Sequence, residues 1–114
     1  MQIVIHRGTH EIGGSCVEIR TRQTKILLDL GLPLDFDSRP QEQQKQIRRE
    51  ALEWAQDADA IFISHFHADH HGLLPDTHQD VAIYATAGTA AMMHVTEVIH
   101  GRGDADYLRH ISGL

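Results

Sequence analysis

A cluster of side chains that could bind metal ions lies near the middle of the sequence. Seven consecutive positions beginning at His65 hold four histidines and one aspartate. Because alternate residues of an extended chain point the same way, His65 and His67 can converge on one ion, while Asp69 and His70 turn toward a second. Imidazole and carboxylate groups suit zinc or a similar divalent metal. The alternative is a solvated, histidine-rich loop that binds nothing, but the alternate spacing and the embedded aspartate favour a metal site.

The elements before this cluster are predicted to hold it at the end of a buried strand. Ala60–Ile63 is short and apolar with β-branched and aromatic residues, which predicts a strand that ends just before the cluster. Residues 1–30 have the pattern of an antiparallel meander, whose third strand is predicted over Lys25–Leu30. An amphipathic helix is predicted from Pro40 to about Gln56, with its apolar side packed on the sheet.

Fewer elements are predicted after the cluster. Val81–Tyr84 has the pattern of a further strand, and a helix is predicted from Thr86 to His100, where Gly101 ends it. Residues 102–114 show no pattern of a regular element, so the chain is predicted to stop without a closing strand or helix.

The cluster reads H-x-H-x-D-H, and in this motif the chain resembles the metallo-β-lactamase superfamily. The resemblance implies an α/β fold, with this chain as the N-terminal half of an αββα sandwich, a mixed β-sheet with flanking helices. It also implies that His65 and His67 serve the first metal, and that Asp69 and His70 serve the second. A complete site would hold two zinc ions, with Mn²⁺ or Fe²⁺ as alternatives.

A second part of the resemblance lies upstream, in the triplet that Asp29 begins. This Asp-Leu-Gly sequence resembles the family's first motif, which implies that Asp29 supports the metal site without ligating the metal. His71, in contrast, has no counterpart among the family's ligands.

Two longer stretches resemble the β-CASP branch, the nucleases that include ribonuclease J and the cleavage-and-polyadenylation endonuclease. Residues 69–75 match D-H-x-G-x-L-P, and residues 13–19 match a G-x-S/N-C stretch of that branch. The resemblance implies a ribonuclease that cleaves phosphodiester bonds with a metal-bound hydroxide, formed because a bound metal lowers the pKa of water from about 15.7 toward about 7. Asp69 is the predicted catalytic residue, since its second oxygen can orient the hydroxide.

The length of the chain bounds what it can do alone. It has 114 residues, whereas superfamily members are normally much longer, so we expect one partial domain over residues 1–114. Four ligands cannot enclose two catalytic metals, and the downstream histidines His94, His100 and His110 are weak candidates for the missing ones. We therefore expect the chain alone to bind zinc weakly, incompletely or not at all, and to lack full activity.

Composition bears on partners and location. The formal charge of −6 disfavours a broad nucleic-acid surface, so contacts with RNA or a small-molecule substrate are expected from sequence C-terminal to these residues. Cys16 is the only cysteine and is predicted to be a buried core residue, which indicates a reducing, cytoplasmic location. No stretch is long and apolar enough to suggest a membrane span.

Two other functions stay open at this stage. The chain could belong to a metallo-hydrolase of small esters, thioesters or lactams, which its acidic charge favours. It could also be a non-catalytic metal-binding or assembly module, because half a sandwich would expose apolar sheet surface and favour a homo-oligomer.

Overall fold

The computed structural model of the protein describes residues 1–77 and 80–114, which form a six-stranded mixed sheet in the order β1 to β6. The strands are β1 Gln2–Arg7, β2 Cys16–Arg20, β3 Lys25–Leu28, β4 Ala60–Ile63, β5 Ala82–Ala85 and β6 Ile111–Gly113. The helices are α1 Gln41–Ala55, α2 Ala68–His71 and α3 Ala87–Ile99, with 3-10 turns at Phe36–Ser38, Leu74–Asp76 and Asp106–His110. Strands β1 to β3 pair antiparallel, and β3 to β6 pair parallel. The predicted α/β class is confirmed.

The antiparallel meander over the first 30 residues is confirmed, but its third strand is shorter than predicted. We expected that strand to reach Leu30, whereas β3 ends at Leu28. The reason is Asp29, whose φ of 61° lies in the left-handed region and cannot continue a strand. The chain therefore turns sharply at Asp29, although its N–H still donates to the carbonyl of Phe62 at 2.9 Å.

Both long helices lie close to their predicted positions. Pro40 precedes α1 as its capping residue rather than forming its first turn, and the buried side of the helix carries Ile47 and Ala51. Thr86 caps α3, because its hydroxyl accepts a hydrogen bond from the Thr89 N–H at 3.1 Å.

The prediction that residues 102–114 contain no closing element is wrong. A 3-10 turn is followed by β6, which pairs parallel to β5 through Ile83 and Ile111. This segment is a strand because it pairs with the edge of β5. Its three residues are too few to show the alternating pattern that predicts a strand from sequence.

One face of the sheet carries the core. Leu27, Ile61 and Ile83 point to the side on which the long helices pack, and all three are buried. Cys16 is completely buried on the same side, as predicted, and burial raises the pKa of its thiol to about 12. This thiol is therefore an inert core group.

The opposite face is apolar and exposed at one end. Paired register places a row of large side chains on it, of which Ile3 and Ile5 are 59% and 56% exposed. The row consists of Ile3, Ile5, Val17, Ile19, Ile26, Leu28, Phe62 and Tyr84. We call this surface the open sheet face. Within residues 1–77 and 80–114, α1 and α3 both pack on the other side.

The longest helix that the structure describes is α1, with 15 residues. Across the described part of the chain, every helix is too short or too polar to cross a bilayer.

Candidate metal centre

The site forms where two parallel strands end side by side. Strands β3 and β4 are neighbours, with Leu28 paired to Phe62, so the residues that follow them meet at one edge of the sheet. Asp29 follows β3 and Ser64 follows β4. The predicted ligands begin one residue later, at His65.

Asp29 is the buried centre of a hydrogen-bond network at this edge. Its carboxylate accepts bonds from the Ser64 N–H at 2.8 Å, from the Ser64 hydroxyl at 2.6 Å and from Nδ1 of His70 at 2.8 Å. An ionised carboxylate can only accept, so this hydrogen bond requires a proton on Nδ1 of His70, and in the neutral ring Nε2 then carries the lone pair. This carboxylate–histidine contact is the usual outer support of a metal-binding imidazole.

The predicted ligands are brought together as two pairs. Nε2 of His65 lies 2.7 Å from Nδ1 of His67, and Nε2 of His70 lies 3.4 Å from an oxygen of Asp69. The pairs are adjacent, since the rings of His65 and His70 have centroids 5.2 Å apart. The structure therefore places all four predicted ligand side chains in one cluster.

The spacing of the donor atoms can be compared with that of a zinc site. Two atoms bound to one tetrahedral zinc at about 2.0–2.1 Å lie roughly 3.3 Å apart, which the 3.4 Å separation of His70 and Asp69 matches. The two nitrogens of the His65–His67 pair are closer, at 2.7 Å, because they form a hydrogen bond with each other, and they would have to separate for both to bind one metal. In the described ranges, no group of three or more His, Cys, Asp or Glu is preassembled around one point. The four predicted ligands therefore fit a divalent-metal site as two separate pairs of side chains.

The backbone of the cluster begins extended and then turns. His67 is extended, with ψ of 149°, and residues 68–71 then form the single turn of α2. The extended part allows His65 and His67 to face each other, and the helical turn redirects Asp69 and His70 toward Asp29.

Backbone hydrogen bonds hold the cluster against two other segments. The carbonyl of Asp69 accepts from the Ser15 N–H at 3.2 Å, and the carbonyl of His70 accepts from the Leu30 N–H at 2.9 Å. Gly31 makes this approach possible, since a Cβ there would lie 1.7 Å from the Asp69 carbonyl oxygen. From the sequence, Gly31 is predicted to end the third strand and belongs to the Asp-Leu-Gly triplet, but its contact with Asp69 is not predicted.

Among the described residues, His71 and the three downstream candidates take no part in the two pairs. His71 is 3% exposed, donates from Nε2 to the Phe66 carbonyl at 2.8 Å, and has its pKa lowered by burial. His94 is exposed on α3. His100 bonds the Thr96 carbonyl within its own helix segment, and His110 lies 3.6 Å from Asp106.

Several known proteins are similar to this chain in sequence. The family model described as "Metallo-beta-lactamase superfamily" matches residues 11–99. An RNase J-like protein of Methanocaldococcus jannaschii is 35% identical over 91 residues, covering 80% of this chain and 19% of the relative. A probable RNase MJ4 of the same organism is 41% identical over 76 residues, covering 66% of this chain and 16% of the relative. Cleavage and polyadenylation specificity factor 73 of Drosophila melanogaster is 31% identical over 99 residues, covering 87% of this chain and 13% of the relative.

A solved structure adds evidence for the fold. A protein of unknown function from Enterococcus faecalis V583 superposes with a TM-score of 0.70 at 17% identity, over 98% of this chain and 33% of its own. The chain spans less than a fifth of the length of these curated relatives. The family match includes both Asp29 and the histidine cluster, and the chain belongs to the metallo-beta-lactamase superfamily.

Proposed function

We propose that these residues form one side of the active site of a metal-dependent ribonuclease of the β-CASP type. The observation that carries the proposal is the position of His70, which is fixed by Asp29 on one ring nitrogen and faces Asp69 with the other. The printed names of the relatives, an RNase J-like protein and a probable RNase, support RNA as the substrate class.

Each residue has a distinct proposed role. His65 and His67 hold one metal, and Asp69 and His70 hold a second, with zinc as the favoured ion and Mn²⁺ or Fe²⁺ as alternatives. Bound divalent metal supplies Lewis-acid chemistry and lowers the pKa of water toward neutrality. Asp69 orients the attacking water by accepting a hydrogen bond from it, and Asp29 keeps the proton of His70 on Nδ1.

Substrate binding is assigned mainly to sequence C-terminal to these residues. The formal charge of −6 disfavours a broad basic surface for RNA on this chain. The cytoplasmic location stays part of the proposal, and the buried, unreactive Cys16 agrees with a reducing compartment.

The test uses the protein that the complete reading frame encodes, incubated with labelled single-stranded RNA and zinc or manganese. We expect cleavage that a chelator stops and that His67→Gln reduces by about 10²-fold or more. His94→Gln is the matched control, because this exposed histidine lies away from the cluster. Hydrolysis of small esters without cleavage of RNA would replace the nuclease with the small-substrate hydrolase.

A second candidate, an assembly module, is favoured by the open sheet face. Two copies could pack these apolar faces against each other, as sheets do in a sandwich about 10 Å apart. Sedimentation and zinc titration of the protein that the complete reading frame encodes distinguish the candidates. A dimer that binds no zinc supports the module, and a monomer that binds zinc argues against it.

A further inference from the structure

Gly13 makes an unusually close approach to the predicted catalytic carboxylate. Its φ is +81°, a conformation that side chains rarely adopt, and a Cβ built on it would lie 2.9 Å from Cβ of Asp69. The same Cβ would lie 3.1 Å from Cγ of Leu34. The bare Cα of Gly13 is therefore in direct contact with the side chain of Asp69.

We infer that Gly13 is a positioning residue for Asp69, and that its missing side chain determines where the Asp69 carboxylate lies relative to His70. The inference rests on the proposed function, because it gives Gly13 its role through Asp69 as a metal ligand. It concerns a different element, the loop between β1 and β2, which contributes no ligand of its own.

The loop cannot move away from Asp69 to make room for a side chain. Gly13 forms a β-bridge with Pro33, and the N–H of Gly14 donates to the Leu32 carbonyl at 3.1 Å. Ser15 donates to the Asp69 carbonyl at 3.2 Å and accepts from the Gly31 N–H at 2.9 Å. The loop and the metal segment are thus held to the same short stretch, so a methyl group between them must displace the Asp69 side chain.

The size of the displacement decides its effect. Ordinary contact begins at 3.4 Å, so a methyl at 2.9 Å requires Asp69 to shift by about half an ångström. Functional groups need to be held within about 0.5 Å of their productive position, and a 1 Å misplacement can cost about 10²-fold. We therefore expect Gly13→Ala to lower kcat and zinc affinity by about 10-fold, with KM for RNA unchanged.

Gly101 offers a matched control for the backbone cost. It also has positive φ, +73°, but a Cβ there would meet nothing within 4 Å. Gly101→Ala and Gly13→Ala therefore share the strain of a left-handed alanine, and only the second adds an atom beside Asp69. Zinc affinity by calorimetry and kcat on RNA are compared in the complete protein, each variant being checked first for its melting temperature.

A double-mutant cycle shows whether Gly13 acts through Asp69. If it does, Gly13→Ala lowers zinc affinity in the wild-type background and has no further effect in Asp69→Asn. Equal zinc affinity and kcat in Gly13→Ala and Gly101→Ala would overturn the inference. If the wild type binds zinc without cleaving RNA, the proposed nuclease fails while the zinc data still decide the role of Gly13. If the wild type binds no zinc, the crystal structure of Gly13→Ala decides it, since an undisplaced Asp69 contradicts the inference.

Discussion

Asp29 is a buried acid whose carboxylate accepts three hydrogen bonds from Ser64 and His70, in the segment that follows the neighbouring strand β4. Its backbone is left-handed, which asparagine tolerates as well as aspartate does. Asp29→Asn therefore removes the charge without adding backbone strain. The amide can no longer accept from every donor, and His70 loses its fixed tautomer.

We expect Asp29→Asn to weaken zinc binding by about 10-fold to 100-fold, the usual effect of losing an outer partner of a metal ligand. Calorimetric titration of the complete protein measures it. Asp57→Asn is the control, because Asp57 has almost the same φ, 59°, but is exposed at the far end of α1. Equal zinc affinity in the two variants would contradict the supporting role of Asp29.

At this scale the sequence was informative where the relevant residues are adjacent. His65, His67, Asp69 and His70 lie within six positions, so their spacing alone indicates a shared site. The contact between Gly13 and Asp69 joins residues far apart in sequence. Because a glycine has no side chain, its residue type does not indicate which residue it contacts. Such close approaches become visible only in three dimensions.

At the scale of elements, the cluster depends on how closely the segment after β3 approaches α2. Gly31→Ala would place a methyl group on the Asp69 carbonyl, and both sides of this contact are backbone that cannot rotate away. We expect this variant to be destabilised by at least about 3 kcal/mol or to fail to fold. Gly88→Ala is the control, because a Cβ in that turn of α3 meets nothing within 4 Å and should stabilise the protein by up to about 1 kcal/mol. Urea unfolding of both variants measures the difference.

The loop that follows α3 is joined to this helix by an ion pair that depends on pH. Arg102 donates to Glu97 at 2.7 Å and holds the pKa of that carboxyl below its ordinary value of 4.5, although burial acts in the opposite direction. A group with a lowered folded pKa contributes stability above its unfolded pKa and loses it as pH falls through the folded pKa.

We therefore expect the free energy of unfolding to fall as pH drops below about 4.3, and Glu97→Gln to remove part of that dependence. Urea unfolding at about pH 7 and about pH 3 checks it. The exposed Glu42→Gln should leave the slope as in the wild type. An identical pH dependence in wild type and Glu97→Gln would show that Glu97 has the same pKa in both states.

The elements themselves were predictable in proportion to their length. Helices α1 and α3 run for 15 and 13 residues and show their period clearly, whereas the three residues of β6 do not. The early end of β3 was missed for another reason: Asp29 adopts its turn because donors from Ser64 and His70 surround it, and no local pattern encodes those partners.

At the scale of the whole molecule, the open sheet face dominates the expected solution behaviour. Contiguous apolar surface of this kind is rare on soluble monomers and marks a docking surface. We expect the 114-residue chain to self-associate and to bind a hydrophobic dye. Ile3→Thr combined with Ile5→Thr should reduce both while changing stability by less than about 1 kcal/mol, since both side chains are largely exposed.

Sedimentation velocity and dye fluorescence measure these effects. The control replaces Ile99, which is 76% exposed but lies on α3, by threonine. A chain that is monomeric and binds no dye would show that the open sheet face does not drive self-association in water. The length of the chain and its family resemblance predict half a sandwich. The residues that form the open sheet face depend on strand register, which the sequence does not determine.

The backbone bonds between the metal segment and its neighbours have a consequence for how an ion would be taken up. Carbonyls 69 and 70 already accept from Ser15 and Leu30, and that of Ala68 accepts from Leu32. Because these backbone bonds use no ligand side chain, we expect the segment to be ordered without a bound ion, unlike a zinc finger that folds around its metal. Amide hydrogen exchange at these three donors should be slow in metal-free protein and scarcely change on loading, and zinc should bind with little loss of chain entropy.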